Sequence, residues 1–363
     1  MKPYNNILYI LMILGNNLYG MGRIIPEKPG IRNLQSIKKG SYILTIPKWW
    51  VEKHGLEKGS KLLLNEDGYS LRIYPLESIE QERRVELNFE EIKDIKLLRY
   101  MILTYYMQGV NRVAIKLGES VDYKAKQLMR DMRLDMPGSE IVRDDSEYLV
   151  YQIPSNVYPE TLDEMMMQLH DLAVTAHRES IESIMNNDTS LARDVVNRES
   201  EMLRIYRKLI RNITLCSINP AIAEEKGIKT TRELLSYVLA SRDLNRIVYH
   251  SIYISRHYLS LKDHDLSDRI KELIRDASEK SIEMQNLAVH SFINKDLERV
   301  FKVTTIMPKI RSLEDELDRL VIKTVTDVDK AHRIMMIGRE IRRIAGFSVA
   351  IADAAANRIL FID

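Results

Sequence analysis

The chain has 363 residues and a mass of 42.3 kDa, a length that predicts two or three domains. Its 54 lysines and arginines against 52 acidic residues leave a net charge of +2, so only a local patch can indicate a nucleic-acid or membrane partner. The single cysteine, Cys216, excludes an internal disulfide and any metal site built from several cysteines.

The first segment, residues 1–29, contains an apolar run from Ile7 to Leu14. The run is shorter than the roughly 20 residues that span a bilayer, and no small-residue cleavage site follows it. Three interpretations stay open: a tail or translation artefact with the effective start near Met21, a short element packed on the protein, or a targeting sequence. No later segment is long and uncharged enough to cross a membrane, which predicts a cytoplasmic protein without membrane insertion.

The next segment, residues 30–77, alternates short apolar runs with glycine, proline and lysine. We expect two strands, then a short helix opened by Pro47 and stopped by Gly55, then a hairpin turned at Asp67-Gly68. A unit of this size has little core of its own, which predicts a homodimer. The adjacent Trp49 and Trp50 cannot both face one way on a helix, so we expect one to be core and their main role to be packing.

This segment also concentrates positive charge. Between Lys28 and Lys61 there are eight basic and two acidic residues, in a chain that is otherwise near neutral. A symmetric dimer would present the basic patch twice, at the spacing of two DNA half-sites. The alternative that composition leaves open is a solvated, lysine-rich hairpin.

The sequence "RNLQSIKKGSYILTIPKWWVEKHGLEKGSKLLLNEDGYSLRIYP" resembles the AbrB/SpoVT-type DNA-binding domain. The pattern falls on Gly40, on "TIPK" at 45–48, and on Gly55, Gly59 and Ser60. The resemblance implies a swapped-hairpin homodimer whose basic first strand and loop contact DNA. Carried over position by position, it implicates Arg32, Lys38, Lys39, Ser41 and Lys48. The chain departs from the family where an arginine often lies in or just after the helix: Trp49, Trp50 and Lys53 occupy that region, and we add Lys53 to the predicted DNA-binding residues.

Residues 78–158 predict a small α/β connector. Apolar spacing favours a helix from Phe89 to Met107, followed by a strand in "NRVAIKL". An amphipathic helix in "YKAKQLMRDMRLD" comes next, and then a hairpin turned at Asp144-Asp145.

From residue 159 the chain predicts long helices in two repeats. "SIMNND" at 183 matches "SFINKD" at 291, and "SRDLNRIVYH" at 241 matches "GREIRRIAGF" at 338. We expect three-helix units at 159–262 and 263–363, with first-repeat helices near 163–185, 191–213 and 230–261. Pro308 should kink the second helix of the second unit.

The repeats, their turns and their third helices resemble PhoU, a family of two three-helix bundles linked to control of phosphate uptake. With the connector and the first domain, the whole chain from residue 30 resembles archaeal PhoU-like regulators that carry an AbrB-type domain. The implied fold is multidomain: a small swapped-hairpin, β-rich domain, a small α/β connector, and all-α tandem three-helix bundles.

The resemblance also raises the question of whether the chain has the family's metal site. PhoU third helices typically carry Glu-x-x-x-Asp, whose carboxylates share one helix face and can chelate a metal. The corresponding residues here are Asn245 and Tyr249 in the first repeat, and Arg342 and Gly346 in the second. We therefore expect no metal and no other cofactor.

We do not expect other acidic residues to take over the role of this carboxylate pair in metal binding. Asp243 and Glu340 lie two positions earlier and face elsewhere on their helices. Glu314 and Asp318 form an i,i+4 pair that we interpret as a solvated face near Arg311 and Lys323.

No enzyme motif is present in the sequence: there is no glycine-rich phosphate loop, nucleophile elbow or metalloprotease helix. The pairs His170/His177 and His250/His257 are each seven residues apart, which favours core or surface histidines over metal ligands. We therefore predict a regulator that is not an enzyme.

The favoured function is a DNA-binding transcriptional regulator of phosphate uptake, in which the bundles sense a signal or bind a partner. The alternative is an adaptor without a DNA role, whose bundles bind a phosphate transporter's ATPase subunit or a phosphate-signalling protein. A third, weaker interpretation is a metal-storage protein or a metal-dependent bundle enzyme, against which the missing carboxylate pairs argue.

Overall fold

The computed structural model describes residues 31–37, 40–118, 121–155 and 158–360, except the side chain of Glu80. The chain divides into two compact units, residues 1–62 and 63–363. The larger unit includes most of the hairpin that ends at Pro75, together with the connector and all of the long helices.

The smaller unit holds an antiparallel strand pair and one short helix. Strands β1 (Gln35–Ile37) and β2 (Ser41–Ile43) pair antiparallel, and helix α1 covers Lys48–Lys53. Gly55, at φ 61°, ends α1 in a left-handed turn. There the Leu56 amide donates to Val51 O at 3.0 Å and the Gly55 amide to Glu52 O at 3.1 Å, which satisfies two carbonyls at the helix end.

A second hairpin joins β3 (Leu62–Asp67) to β4 (Ser70–Pro75) and is followed by α2 (Leu76–Glu80). Gly68 has φ 58°, so the predicted Asp67-Gly68 turn is confirmed. The Asp67 carboxylate accepts from Arg72 Nε at 2.7 Å and from the backbone amide of Thr231 at 2.7 Å. The hairpin tip is therefore bonded to the loop that leads into a bundle helix of the same unit.

The connector is a four-stranded mixed sheet with helices packed on it. Its strand order is β5-β6-β8-β7; β5 and β6 are parallel, and the other neighbours are antiparallel. Its elements are β5 (Arg84–Asn88), α3 (Phe89–Ile92), α4 (Ile95–Met107), β6 (Arg112–Lys116), α5 (Tyr123–Asp131), β7 (Glu140–Asp144) and β8 (Tyr148–Gln152). The α4 residues Leu98, Ile102 and Tyr106 pack against the sheet in a separate core.

The predicted single helix from Phe89 to Met107 is wrong. Lys93 adopts a left-handed conformation at φ 54°, and Asp94 then caps the next helix by accepting from the amides of Lys96 and Leu97 at 2.7 and 3.2 Å. The apolar spacing continues across this break, because α3 and α4 both bury side chains in the connector core.

The helical half contains eight helices among the described residues. They are α6 (Leu162–Met185), α7 (Thr189–Asn197), α8 (Glu199–Ile218), α9 (Pro220–Glu225), α10 (Glu233–Leu259), α11 (Asp268–Asn294), α12 (Leu297–Thr324) and α13 (Val328–Ile359). The predicted helix at 191–213 is wrong in one respect: it is two helices, α7 and α8, that meet at Arg198. Helix α12 continues through Pro308, so the proline does not end it.

The two repeats share the same turn chemistry between their first and second helices. Asn187 and Lys295 both have φ 53°. The following aspartates cap α7 and α12, and their amides bond back to Ser183 O at 2.8 Å and Ser291 O at 3.0 Å. This equivalence supports the repeat that the sequence predicts.

The repeats do not fold as two isolated cores. The first and third helices of both repeats, α6, α10, α11 and α13, pack against one another, and a single hydrophobic cluster runs through both repeats. Helices α8 and α12 each pack on the third helix of their own repeat.

Candidate functional sites

The predicted DNA-binding side chains that the structure describes are on the surface of the smaller unit. Arg32, Ser41, Lys48 and Lys53 are all exposed. Lys48 Nζ lies 3.4 Å from Glu52 Oε1, with 88% and 63% of the two side chains exposed, so this ion pair contributes little stability. Lys38 and Lys39 lie outside the described residues, and all six assignments remain predictions.

The paired tryptophans differ from the expectation that one is core. Trp49 is 43% exposed, and Trp50 is half-buried with its ring 4.7 Å from that of His54. Neither ring is buried within one chain, and no other residue of α1 is buried either.

Apolar side chains in the smaller unit are largely exposed. None of the described residues between 31 and 62 is buried. The large exposed ones are Ile31, Leu34, Ile37, Tyr42, Ile43, Leu44 and Trp49. An isolated hairpin of this kind is marginally stable in water, so we expect these apolar side chains to pack against another surface.

The residues at the family's metal positions carry no carboxylate: they are Asn245, Tyr249, Arg342 and Gly346. Tyr249 donates its hydroxyl hydrogen to Tyr253 Oη at 2.7 Å, and this bond raises the pKa of Tyr249 to about 12. Gly346 offers no side chain, and the Arg342 guanidinium has no lone pair to donate. Among the residues that the structure describes, no three His, Cys, Asp or Glu side chains are placed to hold an ion together.

The interpretation of Glu314 and Asp318 as a solvated face is wrong. Only 11% of the Glu314 side chain is exposed, and it forms an ion pair with Arg342 across the α12–α13 contact. Asp318, one turn further along α12, is partly buried, and its Oδ1 accepts no hydrogen bond from the described residues. Both carboxylates therefore face the neighbouring helix.

A buried carboxylate that sequence reasoning missed lies between the two third helices. Glu340 on α13 is 1% exposed. It bonds His250 Nδ1 of α10 and accepts from Arg343 Nη1 at 2.9 Å. His257 Nε2 lies 3.9 Å from Glu340 Oε1, and burial lowers the pKa of His257. The seven-residue spacing of His250 and His257 was the only hint in the sequence. It could not indicate Glu340 as their partner, because the sequence does not show that α10 and α13 are neighbours.

The other histidine pair is in the core between α6 and α11. His177 is fully buried, with Nε2 3.1 Å from Ser278 Oγ and Nδ1 2.8 Å from Gln285 Nε2. Burial lowers the pKa of His177 to about 3, so the ring is neutral at neutral pH. Cys216 is also buried, and burial raises the pKa of its thiol to about 12, which leaves it unreactive.

Two cationic side chains of α8 bond the first bundle to the connector, and a third bonds α8 to the segment just before α6. Arg211 is 2% exposed and donates to the carbonyls of Tyr106, Val110 and Ile153 at 2.8, 2.9 and 3.0 Å. Arg207 Nη1 lies 3.0 Å from Asp135 Oδ1, and Lys208 Nζ lies 2.8 Å from Glu160 Oε1. Because these charges are largely buried, the connector and α8 are expected to move together.

Comparisons with known proteins match both halves of the chain. The family model described as the PhoU domain matches residues 166–257 and 274–355. The model described as antidote-toxin recognition MazE, bacterial antitoxin, matches residues 35–81. No curated protein sequence matches the chain. Within the described residues, none of the helices is long and apolar enough to cross a membrane.

Two solved structures are similar to about half of the chain. The phosphate transport system regulatory protein PhoU from Streptococcus pneumoniae is 15% identical with a TM-score of 0.48, over 54% of this chain and 92% of that one. PhoU from Pseudomonas aeruginosa is 15% identical with a TM-score of 0.49, over 55% of this chain and 95% of that one. The family matches confirm the predicted architecture: the chain contains two copies of the PhoU domain, preceded by a MazE/AbrB-type antitoxin domain.

Proposed function

We propose that this protein is a DNA-binding regulator of phosphate uptake and not an enzyme. The single observation that carries the proposal is the joining, in one chain, of a MazE-type domain at 35–81 and two PhoU domains. The solved PhoU structure from Streptococcus pneumoniae is described as a phosphate transport regulatory protein. The head, by which we mean residues 31–62 at the start of the MazE-type region, supplies DNA binding, and the PhoU domains supply the response to phosphate status.

The head acts as a homodimer. Its exposed apolar side chains, among them Tyr42, Ile43 and Trp49, have no core within one chain. A second copy that pairs through the same surface would cover them and produce a two-fold axis. The axis doubles the basic surface, so that two copies of Arg32, Lys38, Lys39, Ser41, Lys48 and Lys53 approach adjacent half-sites.

The basic side chains act chiefly on the DNA backbone. Lysine and arginine neutralise phosphates and release condensed counterions, which makes affinity fall steeply as salt rises. Ser41 and Arg32, in and before the first strand pair, contribute hydrogen bonds to phosphates or base edges. The near-neutral charge of the whole chain leaves this head as the source of attraction to DNA.

The bundles communicate with the head region through α8 and the second hairpin. Arg211 ties the connector to α8, and Asp67 ties the tip of the second hairpin to Thr231 before α10. A partner that shifts α8 or α10 therefore displaces the connector or the second hairpin, which follow the head in the chain. Partner binding at the bundles changes the spacing of the two heads, which couples phosphate status to DNA affinity.

Gel-shift assays on the full chain over a range of salt concentrations test the DNA part. Replacing Lys38, Lys39 and Lys48 with alanine removes up to six phosphate contacts per dimer, and the slope of log affinity against log salt should fall by about 5. A matched variant with Lys262, Lys309 and Lys323 of the bundles replaced by alanine should bind like the wild type. A DNA affinity unchanged by the head substitutions would contradict the assignment of these lysines as DNA contacts.

The second candidate function is an adaptor without a DNA role. The extent of the PhoU matches favours it, since they cover most of the helical half. The head then serves only to dimerise the chain, and the bundles bind the ATPase subunit of a phosphate transporter. Crosslinking in cells, followed by recovery of bound genomic DNA fragments, separates the two: an adaptor recovers no enriched fragments, whereas a DNA-binding regulator recovers sites near phosphate-uptake genes.

A further inference from the structure

The contact between α12 and α13 contains a charge arrangement that the proposed function does not use. Glu314 and Asp318 lie one turn apart on α12 and both face α13. Arg342 of α13 reaches across and binds Glu314 through Nε. Arg339, one turn before Arg342, acts electrostatically on Asp318. Glu314 is thus paired with one arginine of the antiparallel neighbour, and Asp318 lies within the electrostatic range of another.

The first repeat has no such arrangement at the equivalent place. Residues 108 positions before Glu314 and Asp318, the same separation as between the two matching turns, are Tyr206 and Ile210. The counterparts of Arg339 and Arg342 on the third helix are Arg242 and Asn245. Tyr206 is half-buried, and burial raises the pKa of its hydroxyl, with Arg242 and Arg246 opposing that rise. This contact therefore carries arginine but no carboxylate pair.

A carboxylate pair at i,i+4 in a partly buried contact needs a compensating cation. The two negative charges repel each other, and burial removes the water that would screen them. A metal ion can compensate the pair, or a side chain can. The guanidinium of arginine is permanently charged and matches the shape of a carboxylate, but it cannot be a metal ligand.

We propose that Arg342 is a built-in cation that takes the place of a metal ion between α12 and α13 of the second PhoU domain. Its charge neutralises Glu314, and its position on the carboxylate excludes a divalent ion. The first PhoU domain needs no such cation, because the equivalent contact between its second and third helices carries Tyr206 and Ile210 in place of the two carboxylates. The folded stability of the full chain is therefore independent of divalent metal.

The test compares thermal unfolding of the full chain in a chelator and in excess Mn²⁺. The wild type should unfold at the same temperature in both. Arg342→Met keeps an apolar stem but frees the pair, so Mn²⁺ should raise its unfolding temperature by about 5 °C over the chelator. Arg342→Lys keeps the charge and should remain insensitive to the metal.

Arg269→Met is the matched control, because Arg269 likewise binds a carboxylate of the adjacent helix, Glu316, and in addition one of its own helix, Glu272. Its partners Glu272 and Glu316 are about half exposed, so their release should create no metal response. If Arg342→Met fails to fold, metal analysis of the wild type still decides. Stoichiometric metal retained through chelator washing, or a wild-type response to Mn²⁺ equal to that of Arg342→Met, would overturn the proposal.

Discussion

Residues 31–62 and the PhoU repeats differ in how far their apolar side chains are buried within one chain. The described part of the head buries no residue within one chain, although it carries many large apolar side chains. The repeats bury theirs in one cluster that runs across both copies. We infer from this difference that the head needs a second molecule to cover its apolar side chains, whereas the repeats cover theirs within one chain.

The largest expected effect is on dimerisation of the head. Ile43→Asp introduces a charge into a surface that we expect to be covered in the dimer, where an unpaired charge is strongly unfavourable. The dimer dissociation constant should rise by at least about 100-fold, since each 1.4 kcal/mol is a factor of ten. Analytical ultracentrifugation of the full chain measures this.

The matched control for that substitution is Val328→Asp. Val328 is an apolar residue at the start of α13 with 82% of its surface exposed. This variant should keep the wild-type dissociation constant. An Ile43→Asp protein that remains as dimeric as the wild type would show that the exposed strand β2 is not the dimer contact.

The second prediction concerns the shared core of the repeats. Phe292 is 0% exposed and packs edge-on against Tyr237, with ring centroids 5.1 Å apart. Phe292→Ala should lower the free energy of unfolding by about 3–5 kcal/mol, because the cavity cannot fully collapse. Phe301→Ala, at a position 70% exposed, should change it by less than about 0.5 kcal/mol. Urea denaturation measures both, and equal losses would contradict the core assignment.

The third prediction uses pH to probe the same core. The pKa of buried His177 is lowered to about 3, so the unfolded chain takes up a proton first as the pH falls. Its contribution to stability is therefore fully present above pH 6.5 and is lost as the pH drops toward 3, at up to about 1.4 kcal/mol per pH unit. His177→Gln should flatten this dependence in urea titrations at several pH values. An unchanged slope would assign the acid sensitivity to other groups.

The smallest expected effect contrasts two glycines, one in each region. Gly55 has φ 61° at the end of α1, so Gly55→Ala should destabilise the head by about 1 kcal/mol. Gly346 lies inside α13, and an added Cβ would meet no atom within 4 Å. Gly346→Ala should stabilise the bundles by about 0.5–1 kcal/mol, since alanine favours helix. Hydrogen exchange in each region separates the two effects, and changes of the same sign would contradict the local reasoning.

Local chemistry made much of the fold predictable. Turns at Gly55, at Asp67-Gly68 and at the two Asn-x-Asp sites depend on residues within a few positions, so their backbone geometry could be read directly from the sequence. The helix over 89–107 failed for the converse reason. Apolar periodicity continues across the left-handed Lys93, and periodicity alone does not detect a break that leaves the buried face unchanged.

The candidate sites divide in the same way. The basic excess of the head, the repeat of the bundles and the missing carboxylates at Asn245 and Arg342 are all properties of the sequence by itself. Only the tertiary structure decided that the two repeats share one core, that Glu340 meets His250, and that Arg342 neutralises Glu314. These contacts join residues of different helices, and their formation depends on which helix faces pack together, which no local spacing specifies.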